Sequence, residues 1–124
     1  MPSLKEMLSS ANDEVPKVTA EEAHELISGR DALLVDVRDA PELEQLGMLK
    51  GAENVSRGML EFRADPYGSY HNPAFRVERP VVLYCASGGR SALAGKTLRE
   101  MGYAEVYNLG GFKQAADSGF PTER

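Results

Sequence analysis

The chain reads as an α/β domain, three layers deep (α/β/α), around a mostly parallel sheet. Three observations point there. The runs ALLVDV (residues 32–37) and PVVLYC (residues 80–85) are short and largely apolar, without the strict alternation of a one-faced strand, and so suit strands covered on both sides. Helical spacing follows each of them, so strands and helices alternate along the chain. Asp36 with Arg38, Ser56 with Arg57, Cys85 to Arg90, and Gly110 with Gly111 all fall just past predicted strand ends. In a sheet of this kind that edge is where ligands collect.

The elements follow in order. Leu4, Met7 and Leu8 are spaced like one face of a short helix, inside an N-terminal extension over residues 1–13 that either packs on the domain or frays. After Pro16, Val18 ends a short extended piece. Thr19 and Glu22 then form a capping box for a helix whose buried stripe is Ala23, Leu26 and Ile27, with Gly29 as the expected C-cap. Beyond the strand at 32–37, Pro41 stands in the first turn of a helix through Leu46, which Gly47 stops. GAENV (residues 51–55) offers a short strand despite Glu53 and Asn54 being poor strand formers.

Ser56 is placed to cap a short helix through Ala64, and residues 65–73 read as a long surface loop, either a lid or a subunit contact that would make a homodimer. Phe62, Tyr67, Tyr70 and Phe75 are expected to anchor it. After the strand at 80–85, Ser91 to Met101 is helical, with Leu93, Ala94, Thr97, Leu98 and Met101 on one side and Gly102 at its end. EVYNL (residues 105–109) supplies another strand, and GGFKQAADSG a last short helix.

Composition narrows the function. The chain has 124 residues, of which 42% are hydrophobic and 27% charged, which fits one ordinary globular domain. A net charge of -5, with no run of Lys and Arg, argues against a nucleic-acid partner. No segment is long and apolar enough for a bilayer, so a cytoplasmic protein with no membrane partner is expected, or one from which a leader has been removed. The single cysteine excludes an internal disulfide. His24 and His71 have no metal-ligand spacing with Cys85, so no metal is expected.

Cys85 opens the stretch CASGGR, in which no side chain exceeds Ser87 in size until Arg90. Two adjacent glycines leave the backbone free to curl its N–H groups toward one point, and the following helix adds its N-terminal field there. Such a cradle favours a thiolate and makes Cys85 a candidate nucleophile, with Ala86, Ser87, Gly88, Gly89 and Arg90 as its anion-binding loop. Arg90 offers its charge either to a substrate or to a carboxylate that fastens the loop. Ser91 reads first as a helix cap. The plain alternative is that Cys85 is a small buried hydrophobe at a strand end.

The run from VVLY through Cys85-Ala86-Ser87-Gly88-Gly89-Arg90-Ser91 to ALAGKTLREMGY resembles the active-site loop of the rhodanese-like sulfurtransferases. ALLVDVRDAPEL, GMLKGAENV and VYNLGGF resemble further motifs of that family, and the likeness runs from about Val15 to Phe120. It implies a rhodanese-like domain over residues 14–122 with a central five-stranded sheet. It also implies a persulfide on Cys85, formed from a small sulfur donor such as thiosulfate and passed to a thiol, cyanide or protein acceptor, with no cofactor. Asp36 and Arg38 match positions that support the fold. Arg57, by its place after the third strand, is expected to attract an anionic donor or else to be a solvated surface residue.

Phosphatases related to this fold have a loop one residue longer than the four residues between Cys85 and Arg90. Two departures stand out. Gly47-Met48-Leu49 replaces the Gly-His-Ile of many relatives, so no histidine base is expected there. Ala86 and Ser87 provide less positive charge than thiosulfate-specialised loops carry. A non-catalytic binding or regulatory module, and a cysteine-dependent phosphatase or arsenate reductase, remain as alternatives.

Overall fold

A computed structural model describes residues 1–124. Its elements are α1 (Leu4–Glu14), α2 (Ala20–Arg30), β1 (Leu33–Asp36), α3 (Ala40–Leu46), β2 (Met48–Leu49), β3 (Glu53–Asn54), a 3-10 turn (Arg57–Met59), α4 (Leu60–Ala64), β4 (Val81–Cys85), α5 (Gly89–Glu100), β5 (Val106–Gly111), α6 (Phe112–Asp117) and β6 (Thr122–Glu123). No helix is long and apolar enough to cross a membrane.

Alternate residues of the central strands point to opposite faces and fill two separate cores. Leu33, Val35, Val81, Leu83, Cys85 and Val106 join Ala94 and Leu98 of α5 on one side. Leu34, Val82 and Tyr84 join Ala23 of α2 and Phe112 and Ala115 of α6 on the other. This is the three-layer arrangement expected.

The sheet itself departs from the expectation of five strands. A four-stranded sheet runs in the order β3-β1-β4-β5, every pair parallel, and a separate two-stranded antiparallel sheet joins β2 to β6. The would-be fifth strand is a single bridge, Lys17 beside Asn108. Asn108 N–H donates to the Pro16 carbonyl at 2.9 Å and Val18 N–H to the Asn108 carbonyl at 3.0 Å. Proline has no N–H to extend the ladder backward, and Thr19 already caps α2, so the piece is long enough for one bridge only.

Local chemistry accounts for most boundaries. The Thr19–Glu22 capping box is present in both directions, at 3.1 and 2.9 Å. The helix it opens passes Gly29 and ends at Asp31, left-handed at φ 56. Arg79 holds that residue through its carbonyl at 2.7 Å and its carboxylate at 3.3 Å. Asn54 suits the end of β3 because its side-chain amide donates to the Asp36 and Arg38 carbonyls, each at 3.0 Å.

Among the aromatics expected to pin the long loop, only Phe75 does so. It is fully buried edge-on against Tyr103, whereas Phe62, Tyr67 and Tyr70 are 55%, 98% and 61% exposed.

Helix α1 is seated on α5. Ala11 and Val15 are buried, and Lys96 donates to Ser10 Oγ at 2.9 Å. The approach is close because Gly95 faces Val15: a Cβ at Gly95 would lie 2.8 and 2.9 Å from the two Val15 methyls and 3.2 Å from a Val106 methyl. Overpacking of this kind costs about 1–3 kcal/mol, against roughly 1 kcal/mol gained by replacing a helical glycine with alanine. Gly95→Ala is therefore expected to lower stability by about 1 kcal/mol, read as a lower urea midpoint at unchanged slope.

Candidate active site

Strand β4 ends on Cys85, which is 0% exposed. The chain then turns through Ala86 and Ser87, both exposed, to Gly88 in the left-handed region at φ +100, directly before α5. That conformation aims the Gly88 N–H back at the Cys85 sulfur, 3.0 Å away. The turn fits because two backbones meet without side chains between them. A Cβ on Gly88 would approach Gly110 Cα at 3.3 Å, and one on Gly111 would strike the Ala86 carbonyl oxygen at 2.7 Å.

The Ser91 hydroxyl lies 3.5 Å from the same sulfur. Burial on its own pushes the Cys85 thiol up, but the Ser91 hydroxyl and the N–H groups of Ser91, Ser87 and Gly88 outweigh it, and the net direction is downward. Enclosure would ordinarily keep a thiol protonated. Here the donors that line the enclosure work against that preference.

Ser91 lies inside α5 rather than capping it; Gly88 occupies the cap position. Its hydroxyl is also 2.7 Å from Asn108 Oδ1 and 3.2 Å from the Gly88 carbonyl oxygen.

The arginines are committed elsewhere. Arg90 makes a two-pronged pair with Glu42 of α3, at 2.7 and 2.9 Å. Glu42 also accepts from the Asp39 N–H at 3.2 Å. The Arg90 guanidinium, opposed by partial burial and helped by Asp39, holds the Glu42 carboxyl at about 2. Arg38 is fully buried with Asp36, which it meets at 2.8 Å, and it also donates to the Gly47 carbonyl at 2.7 Å. Its guanidinium carbon sits 4.3 Å from the centre of the Phe112 ring. Arg57 bonds Glu61 at 2.9 Å and Thr97 Oγ1 at 3.0 Å, and makes no bond to the cysteine loop.

A cleft of about 430 Å3 lies against the loop, lined among others by Leu8, Lys17, Ser87, Gly88, Gly110 and Gln114; Cys85 does not line it. No cluster of three or more His, Cys, Asp and Glu side chains is placed to hold a metal ion. Two residues absent from the sequence expectations stand close to the site: Glu42 and Asn108. The first had a readable signal, since Asp39 three residues ahead makes a capping pattern. The second had none, being one polar residue in a short strand.

The rhodanese-like domain family model matches residues 19–117. Thiosulfate sulfurtransferase GlpE of Coxiella burnetii is 36% identical over 93 residues, covering 74% of this chain and 78% of that protein. The uncharacterized protein YqhL of Bacillus subtilis is 41% identical over 86 residues, which are 68% of this chain and 61% of that protein. A solved structure from Rhodopseudomonas palustris, of unknown function and described as a possible tyrosine phosphatase, superposes with a TM-score of 0.89 at 40% identity. The match covers 99% of this chain and 96% of that one.

The Glu42–Arg90 pair gives a pH prediction. The carboxyl is held at about 2 in the fold, against about 4.3 in an unfolded chain. Its stabilising contribution is thus fully present above about 4.3 and disappears as pH falls toward 2. Denaturant midpoints followed through this acid window are expected to fall less steeply for Glu42→Gln than for the wild type. Partial exposure of the pair keeps the difference small.

Proposed function

We propose that this chain, which belongs to the rhodanese-like domain family, is a sulfurtransferase that carries sulfane sulfur as a persulfide on Cys85. The carrying observation is the Gly88 N–H on a fully buried Cys85 sulfur, seconded by the Ser91 hydroxyl. A neutral thiol sulfur is only a weak acceptor, whereas a thiolate makes full use of such donors.

The Cys85 thiolate attacks the outer sulfur of the donor. With thiosulfate, a Cys85–sulfur bond forms, the donor's sulfur–sulfur bond breaks, and sulfite leaves with that electron pair. The new terminal sulfur carries one negative charge, which amides of the 86–90 loop would share, as the Gly88 N–H on Cys85 Sγ supports. An acceptor thiolate or cyanide then attacks this terminal sulfur, and Cys85 leaves again as a thiolate. Neither step needs a proton to be moved. Cys85 has no exposed surface, so a donor reaches it only after a local rearrangement of its surroundings.

Thiosulfate serves as the test donor. The GlpE likeness supports it, while the uncharged Ala86 and Ser87 leave other sulfane-sulfur donors equally suited.

A second reading, a cysteine-dependent phosphatase, draws on the description of the Rhodopseudomonas palustris structure. Against it stand the short loop and the bonding of Arg90 to Glu42, which takes up the one arginine of the loop.

One experiment separates the two. Intact-mass measurement after thiosulfate treatment is expected to show one added sulfur atom on the wild type and none on Cys85→Ser. Hydrolysis of an aryl phosphate is expected to stay at background in both. Full sulfur loading of Cys85→Ser, or phosphate release that depends on Cys85, would reverse the assignment.

A further inference from the structure

Asn108 is 3% exposed on β5, on the sheet face turned toward α5. Its side-chain amide makes three hydrogen bonds. Oδ1 accepts from the Ser91 hydroxyl at 2.7 Å and from the Gly110 N–H at 2.9 Å, and Nδ2 donates to the Gly88 carbonyl at 3.1 Å. The orientation has one solution. The Gly110 N–H only donates and the Gly88 carbonyl only accepts, so a flipped amide would lose both bonds. Two of its three partners, Gly88 and Ser91, are the residues whose donors reach the Cys85 sulfur, at 3.0 and 3.5 Å.

The protons can be counted. Ser91 has one hydroxyl proton and three acceptors in reach: Asn108 Oδ1, the Gly88 carbonyl and Cys85 Sγ. The Gly88 carbonyl is already served by Asn108 Nδ2 and by the Ala92 N–H at 3.1 Å. Asn108 Oδ1 keeps the Gly110 N–H if the Ser91 proton leaves it. The Ser91 proton serves either Asn108 Oδ1, 2.7 Å away, or the sulfur, 3.5 Å away, so Asn108 competes with the sulfur for it while its Nδ2 fastens the Gly88 carbonyl.

We propose that Asn108 is a positioning residue for the Cys85 chemistry: with Nδ2 on the Gly88 carbonyl and Oδ1 on the Gly110 N–H it holds Gly88 in the turn that keeps the Gly88 N–H on the sulfur, and so sets how readily Cys85 stands as a thiolate. It touches neither the sulfur nor a substrate. The proposal rests on the reading of Cys85 as a nucleophile.

The charged groups around the loop are Arg90 with Glu42 and Asp39 from the α3 side, the buried Asp36–Arg38 pair at the end of β1, Arg57 beyond α5, and Lys17 at the sheet edge. None of them bonds the Asn108 side chain, so Asn108→Ala leaves these charges in place.

The test titrates the thiolate ultraviolet absorbance of the full chain, with each variant's Cys85→Ser counterpart subtracted. Cys85 is the only cysteine, so the difference reports one group. Asn108→Ala is expected to raise the midpoint by roughly one pH unit, or about tenfold less thiolate below it. The same change in a Ser91→Ala background is expected to raise it by more, since with Ser91 present the freed hydroxyl turns to the sulfur and offsets part of the loss. A residue that only filled the strand would lower the unfolding temperature and leave the midpoint where it was. If circular dichroism shows that alanine loosens the fold, Asn108→Ser is read in its place.

An unchanged or lowered midpoint for a folded Asn108 variant in the Ser91→Ala background overturns the proposal. A wild-type midpoint in the ordinary cysteine range, about 8.5, overturns the nucleophile reading first and this one with it. A low wild-type midpoint, with Asn108 variants leaving that of the Ser91→Ala background alone, overturns this one only.

Discussion

A sulfur atom with no exposed surface that nevertheless receives hydrogen bonds is the constraint on which the rest of this molecule turns. Burial disfavours charge, so an enclosed cysteine packed among valines and leucines would by default remain a thiol. The default is opposed because the backbone folds over the sulfur with the Gly88 N–H turned toward it. That fold-over has three requirements in the sequence. Gly88 must adopt a positive φ, Gly111 must offer no side chain to the Ala86 carbonyl, and α5 must begin at once so that Ser91 faces back toward β4. An irregularity in the ladder helps. Leu83 pairs with Asn108 while Tyr84 pairs with Gly110, so β5 slips by one residue beside the loop.

Positive side chains are arranged around this centre without supplying its charge. The buried Arg38 has two carboxylate oxygens, a carbonyl and a ring face as partners, which is what a desolvated guanidinium needs to offset its loss of water. What the pair contributes is shape: it ties the end of β1 to the Gly47 turn and to Phe112 of α6. Arg90 does likewise on the surface, joining the first turn of α5 to α3 through Glu42. Of the two uses open to Arg90 from its sequence, fastening the loop is the one it has. The field at the sulfur comes from peptide dipoles and one hydroxyl.

Much of this was legible in the chain itself. The apolar runs at 32–37 and 80–85, the Thr19–Glu22 box and the Cys85–Gly88–Gly89 stretch each carry a local signal strong enough to survive packing. What escaped was set by contacts distant in sequence or by very short pieces. Two-residue strands such as β2 and β6 have no period to detect. The fifth strand shrank to one bridge because Pro16 and Thr19 bound it on both sides. Gly29 looked like a helix end, yet Arg79, far along the chain, stabilises the left-handed turn two residues later. The loop aromatics were misjudged because hydrophobicity alone does not say which of four rings finds a pocket; Phe75 found Tyr103 and the others stayed outside. Asn108 was invisible for the same reason, its importance residing in what three separate segments bring to it.

The size of the enclosure bears on which chemistry suits it. A phosphoryl group brings several oxygens and asks for a cation facing the loop as well as a ring of amides wide enough to surround it. Here the Gly88 N–H already reaches the sulfur of Cys85 itself, and Arg90 is bonded to Glu42 at both of its terminal nitrogens. A single further sulfur atom is a smaller demand: one large, polarisable, singly charged atom that neutral amides can share. Sulfur exchange also asks nothing of an acid or base, since a thiolate enters and a thiolate leaves. That agrees with the histidines, one on α2 and one bonded to the Phe75 carbonyl within the long loop.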